Sequence, residues 1–422
     1  MLRTMTLGCK VNQYETQYAR EGLLRIGYRD ADGEQPADLC LVNTCTVTAE
    51  GDAKSRQAIR RLARRNPDAR IVVMGCYATN SPDEVLRLPG VVEVIRDKRE
   101  LPDWLRRAGV VDLPTGISSF GNRHRAYVKV QDGCLLRCSF CIIPHVRPSL
   151  ASRPLSEIVE EVERLVDHGY REIVLTGIHL GHYGVDFCRG RPKSQWTRLS
   201  HLVERLAHLT GDFRLRLSSI EATEVTRELL DVMATNASRV APHLHISMQS
   251  GSDSVLRRMR RRWGRRRFID RCHLVRERLD HPALTTDVLI GFPGETDADF
   301  EETCRAAREV GFSKMHIFPF SPRRGTPAFE MPDRVSSQVR RDRCRHLASV
   351  ERELRDIYFT SLVGRRLKVL AESTVADWPD RVLGTSCRYA PVEMPGQGRS
   401  LGELIDVTAG EVIGGRIQAG VE

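Results

Sequence analysis

Hydrophobic positions change their period along the chain. Up to about residue 105, short apolar runs alternate with amphipathic stretches: MLRTMTLG, a helix through QYETQYAREGLLRIG, then DLCLVNTC, a helix through AKSRQAIRRLARRN, and RIVVMGC. Strands separated by helices of that length predict βαβ units and a parallel sheet. A stretch of mixed Gly, Pro and Ser character, VVDLPTGISSFGNRH, then reads as a linker at 109–124.

A second series of strand-like runs follows at AYVKVQ, EIVLTGI, FRLRLS, HLHIS, LTTDVLIGF and KMHIFPF, with amphipathic helices between them. In SEIVEEVERLVDHG the residues Ile158, Val162, Leu165 and Val166 share one face and Gly169 serves as a C-cap; in LSHLVERLAHL the face is Leu199, Leu202, Val203 and Leu206. Six such units predict a partial (β/α)6 barrel, which places its chemistry at the C-terminal strand ends. A long helical pattern from about 335 leads into short β-like runs rich in turn residues, the pattern of a small β-barrel. The fold class is therefore α/β, with an N-terminal parallel sheet domain at 1–108, the linker, a barrel core at 125–355 and a small β-barrel at 356–422.

Composition narrows the function. With 422 residues, 41% hydrophobic and 28% charged, the chain reads as soluble and globular. It has no leader-like apolar region and no apolar run near the roughly 18 residues of a membrane span, so a cytoplasmic protein with no membrane partner is expected. In that compartment thiols stay reduced, so twelve cysteines point to metal or catalysis rather than disulfides. A formal charge of +10 favours a polyanionic partner.

The cysteines fall into two trios. Cys134, Cys138 and Cys141, in DGCLLRCSFCIIP, follow the first strand of the second series. Three thiolates on one compact loop suit a four-iron cube and leave one iron open; a zinc site completed by His145 is the alternative. Cys9, Cys45 and Cys76 each follow a predicted strand of the first series, at the sheet edge where open α/β sheets place ligands. Cys40, inside a strand, reads as a buried small hydrophobe.

With the triplet on a barrel strand end, the sequence resembles the radical S-adenosylmethionine superfamily. The phrases LGCKVNQYET, LVNTCTVTAEGDAKSRQAIRR and VVMGCYA narrow the resemblance to its methylthiotransferases, and it continues through GCLLRCSFCIIP, EIVLTGIHLGHYGVD, RLSSIEATEV, HLHISMQSGSDSVLRRMRRR, TTDVLIGFPGET and HIFPFSPRRGTPA. That resemblance implies two 4Fe–4S clusters, one on Cys134, Cys138 and Cys141 that binds and cleaves S-adenosylmethionine, and an auxiliary one on Cys9, Cys45 and Cys76. It implies Phe140 against the cofactor adenine, a core-packing aromatic being the alternative, and Thr176 and Gly177 at the cofactor-binding strand end; Gln249, at the end of the fourth barrel strand, comes within reach of the site or else caps the next helix. Its expected partners are a tRNA anticodon stem-loop, bound in part by a TRAM-like tail, and an electron donor such as flavodoxin or ferredoxin.

Subgroups of this family act on isopentenylated adenosine in tRNA, on threonylcarbamoylated adenosine in tRNA, or on a ribosomal-protein aspartate. GCKVNQYET, NTCTVT, CIIP and LTGIHLG look most like the threonylcarbamoyladenosine group, implying replacement of the C2 hydrogen next to the anticodon by CH3–S with two S-adenosylmethionine molecules. A non-catalytic RNA-binding iron–sulfur sensor is the reading from another class, and a complete six-unit barrel argues against it. The chain departs from its relatives in IIPHVRPSLASRP, where Pro148 stands for a glycine, which puts substrate contacts through Arg147 and Arg153 in doubt. It also has Thr176-Gly177-Ile178-His179 where the wider superfamily has Gly-Gly-Glu.

Two further features stand apart. Arg257 to Arg267 carries eight arginines and Trp263, either a phosphate-neutralising run with a base-stacking aromatic or a solvated helix face. The turn GFPGET, Gly291 to Thr296, lacks the ending of a P-loop and reads as a turn beside the cofactor. Cys188, Cys272, Cys304, Cys344 and Cys387 are isolated and read as structural.

Overall fold

The computed structural model describes every residue except 122, 189, 193, 194, 377, 397, 399 and 422 and the side chains of 379 and 421. Strands β1 (Leu2–Thr6), β2 (Leu39–Thr44), β3 (Arg70–Gly75) and β4 (Val91–Val94) form a parallel sheet in that order. β2 is buried along its whole length, which explains its unbroken apolar run and the fully buried Cys40. The first crossover helix, Lys10–Arg25, starts earlier than its apolar period suggests, because Cys9, in extended backbone, is its N-cap residue. Helix Ala49–Arg65 is capped by the Thr48 side chain, which accepts from the Gly51 N–H, and carries Glu50 and Asp52 in its first turn.

The second series forms the barrel core. β5 (Arg125–Asp132) carries the short antiparallel β6 (Ala151–Ser152) on one edge and the parallel β7 (Glu172–Gly177) on the other. β8 (Arg214–Leu217) and β9 (Ser219–Ile220) are two halves of one strand broken at Ser218: β8 pairs with β7, and β9 pairs with β10 (His243–Ile246). β11 (Ala283–Ile290) and β12 (Lys314–Pro319) complete the series. Counted this way, six parallel strands form the partial barrel. The predicted helix faces pack against them: Ile158, Val162, Leu165, Leu202, Val203 and Leu206 are fully buried. Gly169, at φ +89°, ends helix Leu155–Asp167 as expected.

Helix Ser337–Thr360 leads into the closed five-stranded barrel of β13 (Arg366–Val375), β14 (Trp378–Ser386), β15 (Pro391–Pro395), β16 (Leu404–Ile413) and β17 (Arg416–Val421), in the order β13-β14-β15-β17-β16. It docks on the N-terminal ends of the core strands. There Glu172, fully buried, is paired with Arg125, Arg214 and Arg216, and Arg214 and Arg216 donate onward to the carbonyls of Lys368, Thr385 and Ser386.

The N-terminal unit is fastened at the opposite strand ends. Arg147 Nη1 donates to Glu15 (2.8 Å) and Asp132 (2.7 Å), and Nη2 to Asn12 Oδ1 (2.9 Å) and Glu15 (2.8 Å), while Lys129 Nζ bridges the same two carboxylates. Nearby, Ile117 and Phe120 of the 109–124 segment are buried, and Glu21 accepts from the N–H groups of Ser118 and Ser119. Arg147 and Arg153, uncertain from sequence, are thus internal fasteners; Arg153 donates to Tyr14, Lys129 O and Glu161.

Removing Arg147 leaves two carboxylates and an ammonium buried with their charges unbalanced. Arg147→Ala is expected to destabilise the protein by ~3–5 kcal/mol, measured by urea unfolding. Arg147→Lys should recover only part, since an ammonium cannot reproduce the guanidinium fork. Burial alone would raise the Glu15 and Asp132 carboxyls, but Arg147 and Lys129 outweigh it and hold both below the usual range. A depressed folded-state pKa stabilises the fold above the unfolded-state value of about 4, and that stability is lost as pH falls through the folded-state values. Glu15→Gln should therefore lower Tm more at pH 7 than at pH 3.

Candidate functional site

The loop after β5 is built around Gly133. At φ +76° it takes the left-handed turn, and a Cβ there would fall 2.0 Å from the Ser149 carbonyl oxygen, so the residue before Cys134 has to be glycine. The loop is pinned from below: Ser139 donates its N–H to Met259 O (3.0 Å) and its hydroxyl to Arg258 O (2.7 Å), and it accepts from Ala328 N. Cys134, Cys138 and Cys141 line a cavity of 160 Å³ together with Phe140, His179 and Gln249.

Two cationic side chains touch these sulfurs. Arg261 Nη1 donates to Cys138 Sγ at 3.3 Å and is itself held by Glu221, which also accepts from Trp263 Nε1 at 3.2 Å. His179 Nδ1 lies 3.4 Å from Cys134 Sγ; its Nε2 lies 3.3 Å from Glu224, and its ring stacks on His182 at 3.6 Å. Burial pushes the Cys141 thiol up to about 12, and raises Cys138 against the pull of Arg261. Such thiols ionise when a metal binds them, releasing protons.

The second trio gathers at the C-terminal ends of β1 to β3. Gly75, at φ +100°, precedes Cys76, and a Cβ there would lie 2.4 Å from the Thr44 backbone. The Cys45 thiol is raised by burial and also by Cys76 and Cys9, and the Cys9 thiol is raised by burial and lowered by Arg147. The three sulfurs are therefore electrostatic neighbours. Asn12 ties the loops together, donating to Leu7 O (2.9 Å) and Thr44 O (3.0 Å).

The two trios adjoin. Buried Cys76 packs against Ile142 and Val146, just after Cys141, with Ile143 beside them. A second strap joins Thr46 and Asp52, beyond Cys45, to Arg323 after β12. Each trio offers three soft thiolate donors, and cationic side chains offset their charge. That donor set fits an iron–sulfur cluster with one iron left for another ligand. His145, the imagined fourth zinc ligand, is exposed and lines a separate 610 Å³ cavity with Arg147 and Lys98.

The other expected site residues are distributed as follows. Phe140 faces the cavity and sits edge-on to Phe292 of the GFPGET turn, with ring centroids 6.5 Å apart. Gln249 also lines it, in a left-handed backbone (φ +64°) where its N–H meets Asp287 O and its carbonyl Leu289 N. The next helix, Asp253–Arg258, has Ser252 at its N-cap position, leaving no capping role for Gln249. Ile178 and His179 line the cavity, whereas Thr176 and Gly177 lie just before them on β7.

One expectation is corrected. Trp263 is buried, stacked on the Arg261 guanidinium (4.8 Å) and beside Phe268 (5.1 Å), so it stacks on protein rather than on a base. Arg257, Arg260, Arg262, Arg266 and Arg267 remain exposed. Sequence reasoning assigns no role to Glu221, Glu224 and His182, although they stand in RLSSIEATEV and EIVLTGIHLGHYGVD; they acquire meaning only through their neighbours across the barrel.

Residues 128–307 match the Radical SAM superfamily, and residues 2–96 match the Uncharacterized protein family UPF0004. Among solved structures, the radical S-adenosylmethionine methyltransferase TsrM from Kitasatospora setae superposes with a TM-score of 0.56 at 16% identity, covering 78% of this chain and 77% of that one, a likeness of fold. The chain is 38% identical to the threonylcarbamoyladenosine tRNA methylthiotransferase MtaB of Bacillus subtilis, covering 95% of this chain and 92% of that protein. It is 39% identical to the protein of the same name from Thermotoga maritima (88% and 86%), and 32% identical to the tRNA-2-methylthio-N(6)-dimethylallyladenosine synthase of Corynebacterium diphtheriae (97% and 83%). With its barrel core, its two adjoining cysteine trios and relatives of this length and identity, the chain belongs to the radical S-adenosylmethionine methylthiotransferase family.

Proposed function

We propose that the protein methylthiolates C2 of N6-threonylcarbamoyladenosine next to the anticodon of tRNA, using two 4Fe–4S clusters and two molecules of S-adenosylmethionine. The observation that carries this reading is the contact of Cys76 with Ile142 and Val146, which sets two separate thiolate trios side by side. The threonylcarbamoyl preference rests on the relatives that bear that name.

In this reading Cys134, Cys138 and Cys141 hold the cluster that engages S-adenosylmethionine, and Cys9, Cys45 and Cys76 hold the auxiliary one. When bound, the clusters and S-adenosylmethionine would supply the radical chemistry and the place at which the sulfur is held. The chain's own residues do the positioning. Arg261 offsets the charge on Cys138, and Glu221 fixes the guanidinium. Phe140 offers an aromatic face and Gln249 an amide to the cofactor, with Thr176 and Gly177 setting the course of the β7 end.

The functional units follow the layout 1–108, 109–124, 125–355 and 356–422, acting in the cytoplasm; none of the helices among the described residues is long and apolar enough to cross a membrane. A flavodoxin- or ferredoxin-type donor reduces the clusters. The anticodon stem-loop approaches the cavity mouth, where exposed Arg260 and Arg262 flank Arg261, while the TRAM-like barrel, docked at the far strand ends, holds another part of the tRNA. Replacing Arg260 and Arg262 with glutamine should weaken tRNA binding and flatten the slope of log K against log salt by about 1 to 2, read by filter binding at several salt concentrations.

The reconstituted enzyme, offered stem-loops carrying either threonylcarbamoyladenosine or isopentenyladenosine, should methylthiolate the former with at least a tenfold preference in kcat/KM. Preference for the isopentenyl stem-loop would move the protein to the other subgroup.

A further inference from the structure

We propose that Lys10 reads the N6 substituent of the target base, its ammonium pairing with the threonylcarbamoyl carboxylate; this rests on the threonylcarbamoyladenosine reading above. Lys10 directly follows Cys9 and opens helix Lys10–Arg25. Its side chain is half-buried against the partial barrel: Nζ lies 6.0 Å from the centre of the Tyr127 ring on β5, and its charged neighbours are Cys9, Asp287 on β11, and Arg125 and Arg216 on β5 and β8.

Beyond Cys9, the neighbouring charges are already engaged. Asp287 lies 3.2 Å from His245 Nε2, Arg125 pairs with Glu172 and Glu372, and Arg216 pairs with Glu172. Among the described residues the Lys10 ammonium makes no ion pair and no hydrogen bond within 4 Å. A half-buried ammonium without an ion-pair partner stays accessible, and an incoming carboxylate supplies a charge-assisted bond.

The place matches the chemistry. Ser247 lines the cysteine cavity, and His245, two residues earlier at the end of β10, pairs with Asp287, a charged neighbour of Lys10. In adenine, C2 and the N6 substituent flank the same N1 edge. A base that offers C2 to the Cys9 trio therefore directs its substituent to the same side, where Lys10 is the adjoining residue. An isopentenyl group brings no charge to that ammonium, and a site built for a polar group rejects an analogue that lacks it.

The test compares stem-loops bearing threonylcarbamoyladenosine as the free acid and as its carboxylate methyl ester. The reconstituted wild-type enzyme should prefer the acid in kcat/KM by on the order of 100-fold. Lys10→Met should bring the acid down to the level of the ester, and Lys10→Arg should restore part of the preference. The acid-to-ester ratio is read within one preparation, so differences in cluster loading or folded fraction between variants cancel. A wild-type ratio preserved in Lys10→Met would overturn the assignment, as would a wild-type enzyme indifferent to esterification. An enzyme that methylthiolates neither stem-loop would instead refute the substrate reading on which the assignment stands.

Discussion

Alanine at Cys134, Cys138 and Cys141 together removes about half of the iron that reconstitution introduces and abolishes 5′-deoxyadenosine formation altogether. The three thiols share one loop, and burial raises those of Cys138 and Cys141. His179 is held by Glu224 and Arg261 by Glu221; neither is free to swing into a ligand position. The loop itself should survive, because its anchors are Gly133 and the Ser139 bonds to Met259 and Arg258 rather than the sulfurs. Iron and sulfide analysis, with chromatography of the cofactor products after dithionite reduction, checks the expectation. Residual 5′-deoxyadenosine in the triple variant would mean that the ligands lie elsewhere.

Alanine at Cys9, Cys45 and Cys76 separates the two duties. It should remove the other half of the iron and eliminate the methylthio product while 5′-deoxyadenosine still forms. The reason is structural: the second trio sits on three sheet ends of the N-terminal unit, and it meets the barrel loop through Ile142, Ile143 and Val146, apolar contacts that an alanine at 76 largely keeps. The junction through Arg147, Glu15 and Asp132 uses none of these sulfurs. Product analysis on one RNA sample reads both outcomes together. A methylthiolated nucleoside from this variant would refute the auxiliary role.

Much of this site was legible in the chain because its parts are local. The cysteines are placed by strand ends, and strand ends follow from apolar runs broken by Gly8, Gly75 or Gly133. The triplet spacing needs no fold at all to be recognised. Trp263 misled because its polar neighbours in sequence are not its neighbours in space: Phe268 and the Arg261 guanidinium cover it, and Glu221, forty-two residues away, takes its N–H. The same holds for Arg147, whose partners Asn12, Glu15 and Asp132 come from two units of the fold. Pairings across such separations depend on how one unit docks on another, and no period in the sequence encodes that. Lys10 is the clearest instance. In sequence it is one cation beside a cysteine, and only the barrel closing around it gives it Tyr127, Asp287 and Arg216 for surroundings.

The position of the small barrel also follows from charge rather than from pattern. Glu172 opens β7 and is buried without solvent, which three arginines make tolerable. Burial would raise its carboxyl, but Arg214, Arg216 and Arg125 hold it far below the usual range. Two of those arginines carry the contact onward to β13 and β14, so the tail is fixed at the end of the core away from the cysteines. In the proposed function, a tRNA bound by both parts would span the core.

The central claim is the identity of the modified nucleoside. Mass spectrometry of total tRNA nucleosides from the source organism with this gene deleted tests it most directly. The account predicts loss of the methylthio derivative of threonylcarbamoyladenosine, accumulation of its unthiolated parent and no change in methylthio isopentenyladenosine. Loss of the isopentenyl product instead, or an unchanged threonylcarbamoyl pair, would contradict it.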